Sequence, residues 1–332
     1  VANFGFEGHE QPYDSDVVWF GNPLDEIAAT MKRTSKPPHQ GRPERDHVPQ
    51  FRTIRHWTVP AGLCLALWVG SADGARAQSN GNARLDARYT VTLAGIKLGE
   101  GTWQVDVSDN EFAASAVGST SGLARIFNSG TGVTAVRGAI KNGQLIPASY
   151  VVNMKWGKRF EDLTMKLADG AIKEVSIVPP AIVVPDRIPV TEAHRRNVLD
   201  PMTGSLLRVP GNGDLMVPET CKQHTPVFDG RMRYDLTFAF KRIEQVKVPG
   251  YQGPALVCAI YFAPLAGYVP DRAAIKYLID QRDMETWIVP IAGTRVMVPV
   301  RVVIPTPLGQ GVLQATQLYS LPLPGRASAK TQ

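Results

Sequence analysis

Cysteine and histidine are the residues with which this chain could most readily do chemistry, because they serve as nucleophiles, general bases and metal ligands. After residue 77 the sequence has two of each: Cys221, Cys258, His194 and His224. The histidines form neither a His-x-His nor a His-x-x-x-His pair, and no cysteine cluster accompanies them, so we expect no bound metal and no cofactor. His224 follows Cys221 by three residues, which leaves a Cys–His pair open if that thiol is free.

Hydroxyl and carboxyl side chains give an equally weak case for catalysis. Residues 118–122 resemble a nucleophile elbow, but threonine is central, and an elbow needs the strand-to-helix turn of an α/β sheet. The nearest carboxyl pairs are Glu161 with Asp162 and Asp283 with Glu285. Neighbours on a strand point to opposite faces, so Glu161 and Asp162 cannot act together as acid and base. We therefore expect a protein that is not an enzyme.

The segment 51–77 predicts where these side chains operate. Arg52 and Arg55 give a positive start, residues 57–72 give an apolar core, and Ala75-Arg76-Ala77 gives the small residues of a cleavage site. This layout is typical of a secretory signal peptide cleaved after Ala77, and it predicts a periplasmic protein. An uncleaved anchor that carries the same exported domain is the alternative.

Export changes the interpretation of the cysteines. Cleavage would remove Cys64 and leave Cys221 and Cys258 in an oxidising compartment, where we expect them to form a disulfide. Two buried free thiols are the alternative. Residues 1–50 are polar and without sustained periodicity, so we interpret them as a disordered extension or as the result of a start site placed too far upstream.

The rest of the chain has the alternation of β-strands. Asn142-Gly143 and Asp169-Gly170 are hairpin turn signals between short alternating runs. The pattern predicts a mainly all-β fold: one long curled antiparallel sheet over residues 84–322, an open barrel or β-spiral, followed by a flexible tail at 323–332.

Four segments should interrupt the strands, and they supply two or three short helices. A single helical turn is expected at 123–127, and the proline-rich stretch 179–191 should be an extended connection. Asp200-Pro201 predicts an N-cap and a short helix up to Leu207. Residues 271–279 fit a helix capped by Asp271 and equally a loop that leads into a strand at 274–279.

One face of the predicted sheet is rich in aromatic residues, as expected for a core or for a groove that holds an acyl chain. We predict a ligand groove lined by these residues, with an ordinary core as the alternative. They are Tyr150, Trp156, Phe160, Tyr234, Phe238, Phe240 and Tyr261.

The charge does not suggest a nucleic-acid partner. The formal net charge of +6 is spread over 332 residues without a Lys/Arg run of the kind that contacts phosphates. We expect a monomer that does not bind nucleic acid.

Five short motifs occur in a characteristic order over roughly residues 85–320. They are Gly95-Ile96-Lys97-Leu98-Gly99-Glu100, Asp200-Pro201-Met202-Thr203, the run from Pro226 to Tyr234, Val248-Pro249-Gly250, and the strand from Pro299 to Val302. This order resembles the bacterial family catalogued as domain of unknown function 3108. The usual Trp-x-x-x-Asp turn is altered here, because Trp287 is followed by Ile-Val-Pro-Ile.

The resemblance implies an exported cell-envelope protein with no established activity. It also implies a sheet similar to those of lipoprotein carriers of the LolA and LolB type. We therefore expect a periplasmic, non-catalytic protein that binds a lipid or another hydrophobic molecule in its curved sheet. Two alternatives stay open: a structural module that contacts an envelope protein or peptidoglycan, and an envelope hydrolase.

Overall fold

The computed structural model describes residues 81–122, 129–180 and 184–323. The predictions for residues 1–50, the signal peptide at 51–77, the turn at 123–127 and the tail after 323 lie outside these residues. The strands are β1 Ala83–Leu93, β2 Ile96–Val107, β3 Glu111–Thr120, β4 Gly130–Lys141, β5 Gln144–Trp156, β6 Arg159–Ala168, β7 Ala171–Val178, β8 Leu207–Arg208, β9 His224–Phe228, β10 Arg233–Val248, β11 Tyr251–Ala266, β12 Glu285–Pro290, β13 Val296–Thr306 and β14 Gly309–Pro322.

All of these strands belong to one sheet, in the order β7-β6-β5-β4-β3-β2-β1-β14-β13-β12-β11-β10-β9, and β8 pairs with β13. Every strand pair is antiparallel. The first strand pairs with the last, so the two edges of the sheet are β7 and β9. The predicted all-β fold with a curled, open antiparallel sheet is confirmed.

Two short helices lie within the described residues, α1 at Pro201–Gly204 and α2 at Ala273–Asp280. The first is shorter than the predicted helix up to Leu207, which instead begins β8. The predicted cap of α1 is confirmed, since the Asp200 carboxylate accepts from the backbone N–H of Met202 and Thr203. The helix alternative at 271–279 is also correct, but the N-cap is Arg272. Single 3-10 turns lie at Glu192–Arg195 and Pro218–Cys221. None of the described helices is long and apolar enough to cross a membrane.

The connection between β7 and α1 bridges the two open edges. Arg196 forms an antiparallel bridge to Ala171 of β7, and Leu199 forms a parallel bridge to Val227 of β9. The Phe228 N–H also donates to the Leu199 carbonyl at 2.9 Å. Edge strands expose unpaired backbone groups, so this short bridge satisfies part of both edges without closing the sheet.

A buried ion pair links the two ends of the sheet across the gap between the edge strands β7 and β9. Arg231, in the turn between β9 and β10, donates to both oxygens of Glu161 on β6 at 2.7 and 3.0 Å. Asp229 holds this turn by accepting from the N–H groups of Arg231 and Met232. Glycine suits position 230 because its φ of +102° is a backbone conformation that residues with a side chain rarely adopt.

The main core lies on one side of the curled sheet and draws on both halves of the chain. Its apolar side chains form one contiguous cluster, so this side is packed by the protein's own residues. Large members are Tyr89, Trp103, Phe112, Tyr150, Met165, Phe228, Trp287 and Leu318.

A second core covers the other side of β10–β13. Alternation along β11 places Val257 in the main core and Leu256 and Cys258 in the second core. The segment 205–222 lies over this second face and contributes Leu207 and Cys221. Strands that are buried on both faces need such a cover.

The Cys221–Cys258 disulfide is present, with a Cα–Cα distance of 5.6 Å. The predicted pairing is therefore confirmed. The bond joins the Pro218–Cys221 turn to β11, so it anchors the covering segment to the sheet. Arg295 holds the same segment through the carbonyls of Val209, Pro210 and Gly213.

The end of the β10–β11 hairpin turns away from β12. The turn consists of Pro249 and Gly250, and the Pro249 carbonyl accepts from the Leu318 N–H of β14 at 2.8 Å. Gly250, with φ of +91°, allows this approach, since a Cβ would lie 2.4 Å from the Leu318 oxygen. Of the proline-rich stretch 179–191, residues 181–183 lie outside the described chain, and Pro185 and Asp186 form a turn. Residues 187–191 belong to no helix or strand, as expected of a connection, and Ile188 donates to the Tyr268 carbonyl and accepts from the Gly267 N–H.

Loss of the disulfide should loosen the covering segment. We expect the double variant Cys221→Ser, Cys258→Ser to lose about 2–5 kcal/mol of unfolding free energy, the usual range for a native bridge. Urea unfolding of the oxidised protein, the reduced protein and the double variant measures this. Labelling of free thiols in the unreduced protein, or equal stability of all three forms, would contradict the structure.

Asp200 should make stability depend on pH. The side chain is fully buried, and burial raises its pKa from 3.8 to about 6, although hydrogen bonds from Thr203 and Met202 oppose the shift. The folded state therefore binds this proton more tightly than the unfolded state. The contribution is fully present below about pH 4 and is lost as pH rises through about 6, which amounts to roughly 3 kcal/mol.

The test compares unfolding free energies of the wild type and Asp200→Asn between pH 4 and pH 7. Asparagine keeps the N-cap and cannot ionise. We expect the wild type to lose stability relative to the variant as pH rises, and parallel profiles would show that Asp200 does not titrate in this range.

Candidate functional site

The candidate site lies on one face of β10–β13, where charged side chains surround a buried tryptophan. The strand register places Arg242, Val257, Trp287 and Arg301 side by side on four adjacent strands. Directly paired residues share a face of an antiparallel sheet, so both arginines flank the indole. Trp287 itself is 6% exposed and belongs to the main core.

Trp287 is held between two cations and one carboxylate. The guanidinium carbons of Arg242 and Arg301 lie 5.5 and 4.9 Å from the centre of the indole ring. These distances are within the range of cation–π attraction. The indole Nε1–H donates to Glu244 at 2.7 Å, which fixes the orientation of the ring.

Arg242 is the centre of a paired charge network. It donates to both oxygens of Glu285 at 3.0 Å and to Glu244 at 2.5 Å. A β-bulge between Phe240 and Arg242 lets the neighbouring Lys241 reach Glu285 as well, at 2.5 Å. Two consecutive residues therefore contact one carboxylate.

This pairing keeps both carboxylates ionised. The hydrogen bond from Arg242 lowers the pKa of Glu285, and the bond from Trp287, followed by that from Arg242, lowers the pKa of Glu244. The same contacts raise the pKa of Arg242. A general acid at neutral pH needs a raised pKa, so neither glutamate has the property that acid catalysis requires.

Arg301 differs from the other cations of the network. Its guanidinium donates no hydrogen bond to any residue that the structure describes, and its buried Nε–H has no acceptor there. Gln314, paired with it across β14, directs its own amide to the carbonyls of Val300 and Ala315. A guanidinium offers five N–H donors in a planar fork that suits carboxylate and phosphate groups.

Apolar side chains continue this face next to the charges. Val303 and Val312 form the adjoining pair on β13 and β14. Val246 and Val248 lie two and four residues after Glu244 on β10, so they share its face of the sheet. Both are only partly buried against the main core. The arrangement is an unpaired cation on an aromatic platform beside half-buried valines, which can bind an anionic group attached to an apolar chain.

The aromatic residues predicted as a groove do not lie together. Tyr150 is buried in the main core, Phe238 and Phe240 belong to the second core, and Phe160 is 51% exposed. Trp156 is half-buried at the end of β5. Tyr234 stacks on Phe262 with centroids 5.4 Å apart, and Tyr261 lies under the Arg282 guanidinium. These residues therefore occupy at least two faces of the sheet.

The residues considered for catalysis are also accounted for. Cys221 is in the disulfide, so it cannot form the Cys–His pair, and His224 bonds to Asp235 at 2.9 Å. His194 completes the capping box of the Glu192–Arg195 turn. Within the described ranges no group of three or more His, Cys, Asp or Glu side chains could hold a metal ion.

The carboxyl pairs identified in the sequence are separated as well. Glu161 is buried against Arg231, whereas Asp162 bonds to Asn153 at 2.7 Å on the other side of β6. Glu285 belongs to the network, and Asp283 is exposed in the preceding loop.

Sequence reasoning noticed Trp287 and Arg301 only as parts of motifs. Trp287 marked the altered turn, and Arg301 lies in the Pro299–Val302 strand. The available signal was the presence of an arginine and a tryptophan at inward positions of apolar strands, where an unpaired charge is costly.

Comparison with known proteins places the chain in a family. Residues 88–316 match the family described as "Protein of unknown function (DUF3108)", as the motif order predicted. A solved β-barrel-like protein of domain of unknown function DUF1849 from Brucella abortus is similar in structure, with a TM-score of 0.39 and 10% identity. That similarity covers 74% of this chain and 99% of the other. No curated protein matches the chain.

Removing one carboxylate should test the network. We expect Glu285→Gln to lower the unfolding free energy by about 1–3 kcal/mol, because two cations lose a largely buried charged acceptor. Glu174→Gln is the matched control, since Glu174 and its partner Lys166 are mostly exposed, and it should cost at most about 1 kcal/mol. Urea unfolding measures both changes, and equal losses would mean that the network is only a surface ion pair.

Proposed function

Since the chain belongs to the DUF3108 family, whose function is unknown, we propose a function from the geometry of the site. The protein is an exported, non-catalytic component of the cell envelope that binds an amphiphile. The anionic group of the ligand lies against Arg301, and its apolar part lies along the neighbouring valines. The observation that carries this proposal is the Arg301 guanidinium, which stacks on Trp287 without an acceptor among the described residues.

The charge balance of the site supports an anionic ligand. Among the described residues, the carboxylates paired with Lys241 and Arg242 are Glu244 and Glu285, and both are fully engaged by these cations and by Trp287, which leaves none for Arg301. A carboxylate or phosphate on Arg301 would neutralise the remaining cation and accept from its unpaired donors.

The neighbouring side chains support an apolar portion of the ligand. Val246, Val248 and Val312 are only partly buried although they pack against the main core. Val312 lies from Arg301 towards the β13–β14 turn, whereas Val246 and Val248 lie towards the β10–β11 turn. An alkyl chain directed from Arg301 over the valine at the β13–β14 end would remove further apolar surface from water, at about 25 cal/mol for each Å². The proposed site lies on β10–β14 and does not include the aromatic residues predicted as a groove.

Two further observations support an exported, non-catalytic protein. A buried disulfide persists in oxidising compartments such as the periplasm, in agreement with the signal peptide predicted at 51–77. The site also offers two carboxylates with lowered pKa values and no adjacent histidine or free cysteine among the described residues. Those groups can orient a ligand but are poor proton donors.

Titration calorimetry with two twelve-carbon amphiphiles tests the proposal. Dodecyl phosphate carries an anionic head and dodecyl maltoside a neutral one, and both are used below their micelle concentrations. We expect preferential binding of dodecyl phosphate. Arg301→Gln should lower that affinity by about 10- to 100-fold, as expected for the loss of a hydrogen bond to a charged group.

Arg137→Gln is the matched control, because Arg137 is exposed on β4 and donates a hydrogen bond to Ser149. It should bind both amphiphiles as the wild type does. Equal affinity of the wild type for the two amphiphiles, or unchanged dodecyl phosphate binding by Arg301→Gln, would refute the assignment. Native mass spectrometry of periplasmic protein should show a bound amphiphile in the wild type that is depleted in Arg301→Gln.

A further inference from the structure

The turn between β5 and β6 has a composition unlike the other hairpins of the sheet. It reads Lys155-Trp156-Gly157-Lys158-Arg159-Phe160, three cations and two aromatic residues without an acidic residue. The strands end at Trp156 and Arg159, so this sequence occupies the tip of the hairpin. A left-handed Gly157, with φ of +59°, makes the tight turn.

The tip presents these side chains to solvent. Lys155, Lys158 and Arg159 are exposed, and Phe160 retains 51% of its surface accessible. Neither Lys155 nor Lys158 forms an ion pair with any described residue. Glu161 shares the face of Trp156 and Arg159 but is paired with Arg231. Asp162, on the face of Phe160, accepts from Asn153.

The apolar surface extends beyond Phe160. Trp156 pairs with Arg159, and Phe160 pairs with Lys155 on the opposite face of the hairpin. On that face Val178 of β7 is 47% exposed and lies diagonally from Phe160, because its direct partner is Asp162. The hairpin therefore carries one aromatic residue on each face, with Lys155 before the turn and Lys158 within it.

Another exposed apolar residue, Leu308, lies at the same end of the sheet as the β5–β6 turn. Alternate turns of an antiparallel meander share an end, so the β5–β6 turn lies at the end of the β1–β2 turn. The latter contacts the β13–β14 turn, where Ala94 N–H donates to Gln310, and Leu308 there is 39% exposed. The β10–β11 turn lies at the other end, because it is reached from β12 and β13 in the opposite direction.

We propose that the β5–β6 hairpin docks this protein on the surface of an anionic lipid bilayer. Lysine and arginine are attracted to the negative surface potential of such a bilayer, while Trp156 and Phe160 enter the interface between headgroups and acyl chains. Aromatic rings with adjacent cations are suited to this position, since lysine extends its ammonium towards the headgroups while its stem stays apolar. The contact is peripheral and is separate from Arg301.

Vesicle flotation of the full mature chain measures the contact. Vesicles of phosphatidylcholine with about one third phosphatidylglycerol should bind the wild type, and pure phosphatidylcholine vesicles should bind it at least about 10-fold less. Binding should weaken in 0.5 M salt because the attraction is screened. Lys158→Glu and Phe160→Ser should each lower partitioning by about 10-fold, through charge and through apolar contact respectively.

Matched controls lie at the opposite end of the sheet. Lys247→Glu reverses an exposed charge near the β10–β11 turn, and Leu321→Ser removes a residue that is 54% exposed at the end of β14. Both should partition as the wild type does. Thermal unfolding identifies any variant that fails to fold, and for such a variant Lys155→Glu and Trp156→Ser replace it.

Three results would overturn the proposal: equal binding to neutral and anionic vesicles, no binding to either, or unchanged partitioning of the hairpin variants. Arg301→Gln separates this proposal from the ligand site. It should lose dodecyl phosphate binding and keep vesicle binding, whereas Lys158→Glu should show the reverse. Loss of vesicle binding in Arg301→Gln, with Lys158→Glu unaffected, would place the membrane contact in the ligand site.

Discussion

The fold depends on how the unpaired backbone groups at the two edges of the open sheet are satisfied. A sheet that begins and ends with unpaired strands exposes backbone donors and acceptors, and full closure into a barrel would remove them. Here β7 and β9 do not meet. Arg196 and Leu199 pair with one edge each, and the buried Glu161–Arg231 ion pair connects β6 to the turn before β10. Removing one partner of such a pair would leave a buried charge, so the ion pair makes the position of the opening specific.

The two halves of the sheet differ in how many of their faces are buried. The β1–β7 meander faces the core with one side, whereas β11–β13 bury both sides and require a cover. The segment 205–222 supplies that cover, and Cys221–Cys258 and Arg295 hold it in place. Because the cover immobilises the outer side of β10–β13, the arginines on the inner side are set on rigid strands. A binding site on paired strands keeps its geometry better than one on loops.

Local patterns predicted the strands, the turns and the Asp200 cap, because these depend on neighbours in sequence. The faces that the other side chains occupy depend on how strands far apart in the sequence pair with one another. The two-residue turn pairs Trp156 with Arg159, so Phe160 must face away from Trp156, although both were assigned to one groove. The bulge after Phe240 brings Lys241 and Arg242 to Glu285, 43 residues away from Arg242. No propensity scale encodes a bulge at that position, and alternation alone would have separated the two cations.

Three arginines on the same sheet show how structural and functional charges differ. Arg231 donates to a buried carboxylate through both terminal nitrogens, although its own buried Nε–H has no acceptor in the described chain, and Arg242 is paired with Glu285 and Glu244. Both arginines therefore have carboxylate partners that offset most of their desolvation. Arg301 stacks on Trp287 but leaves a buried Nε–H without an acceptor in the described chain. An apolar residue of similar size at this position would avoid that cost. The fold therefore gains least from this charge among the three, and an anionic ligand is the partner that would compensate it.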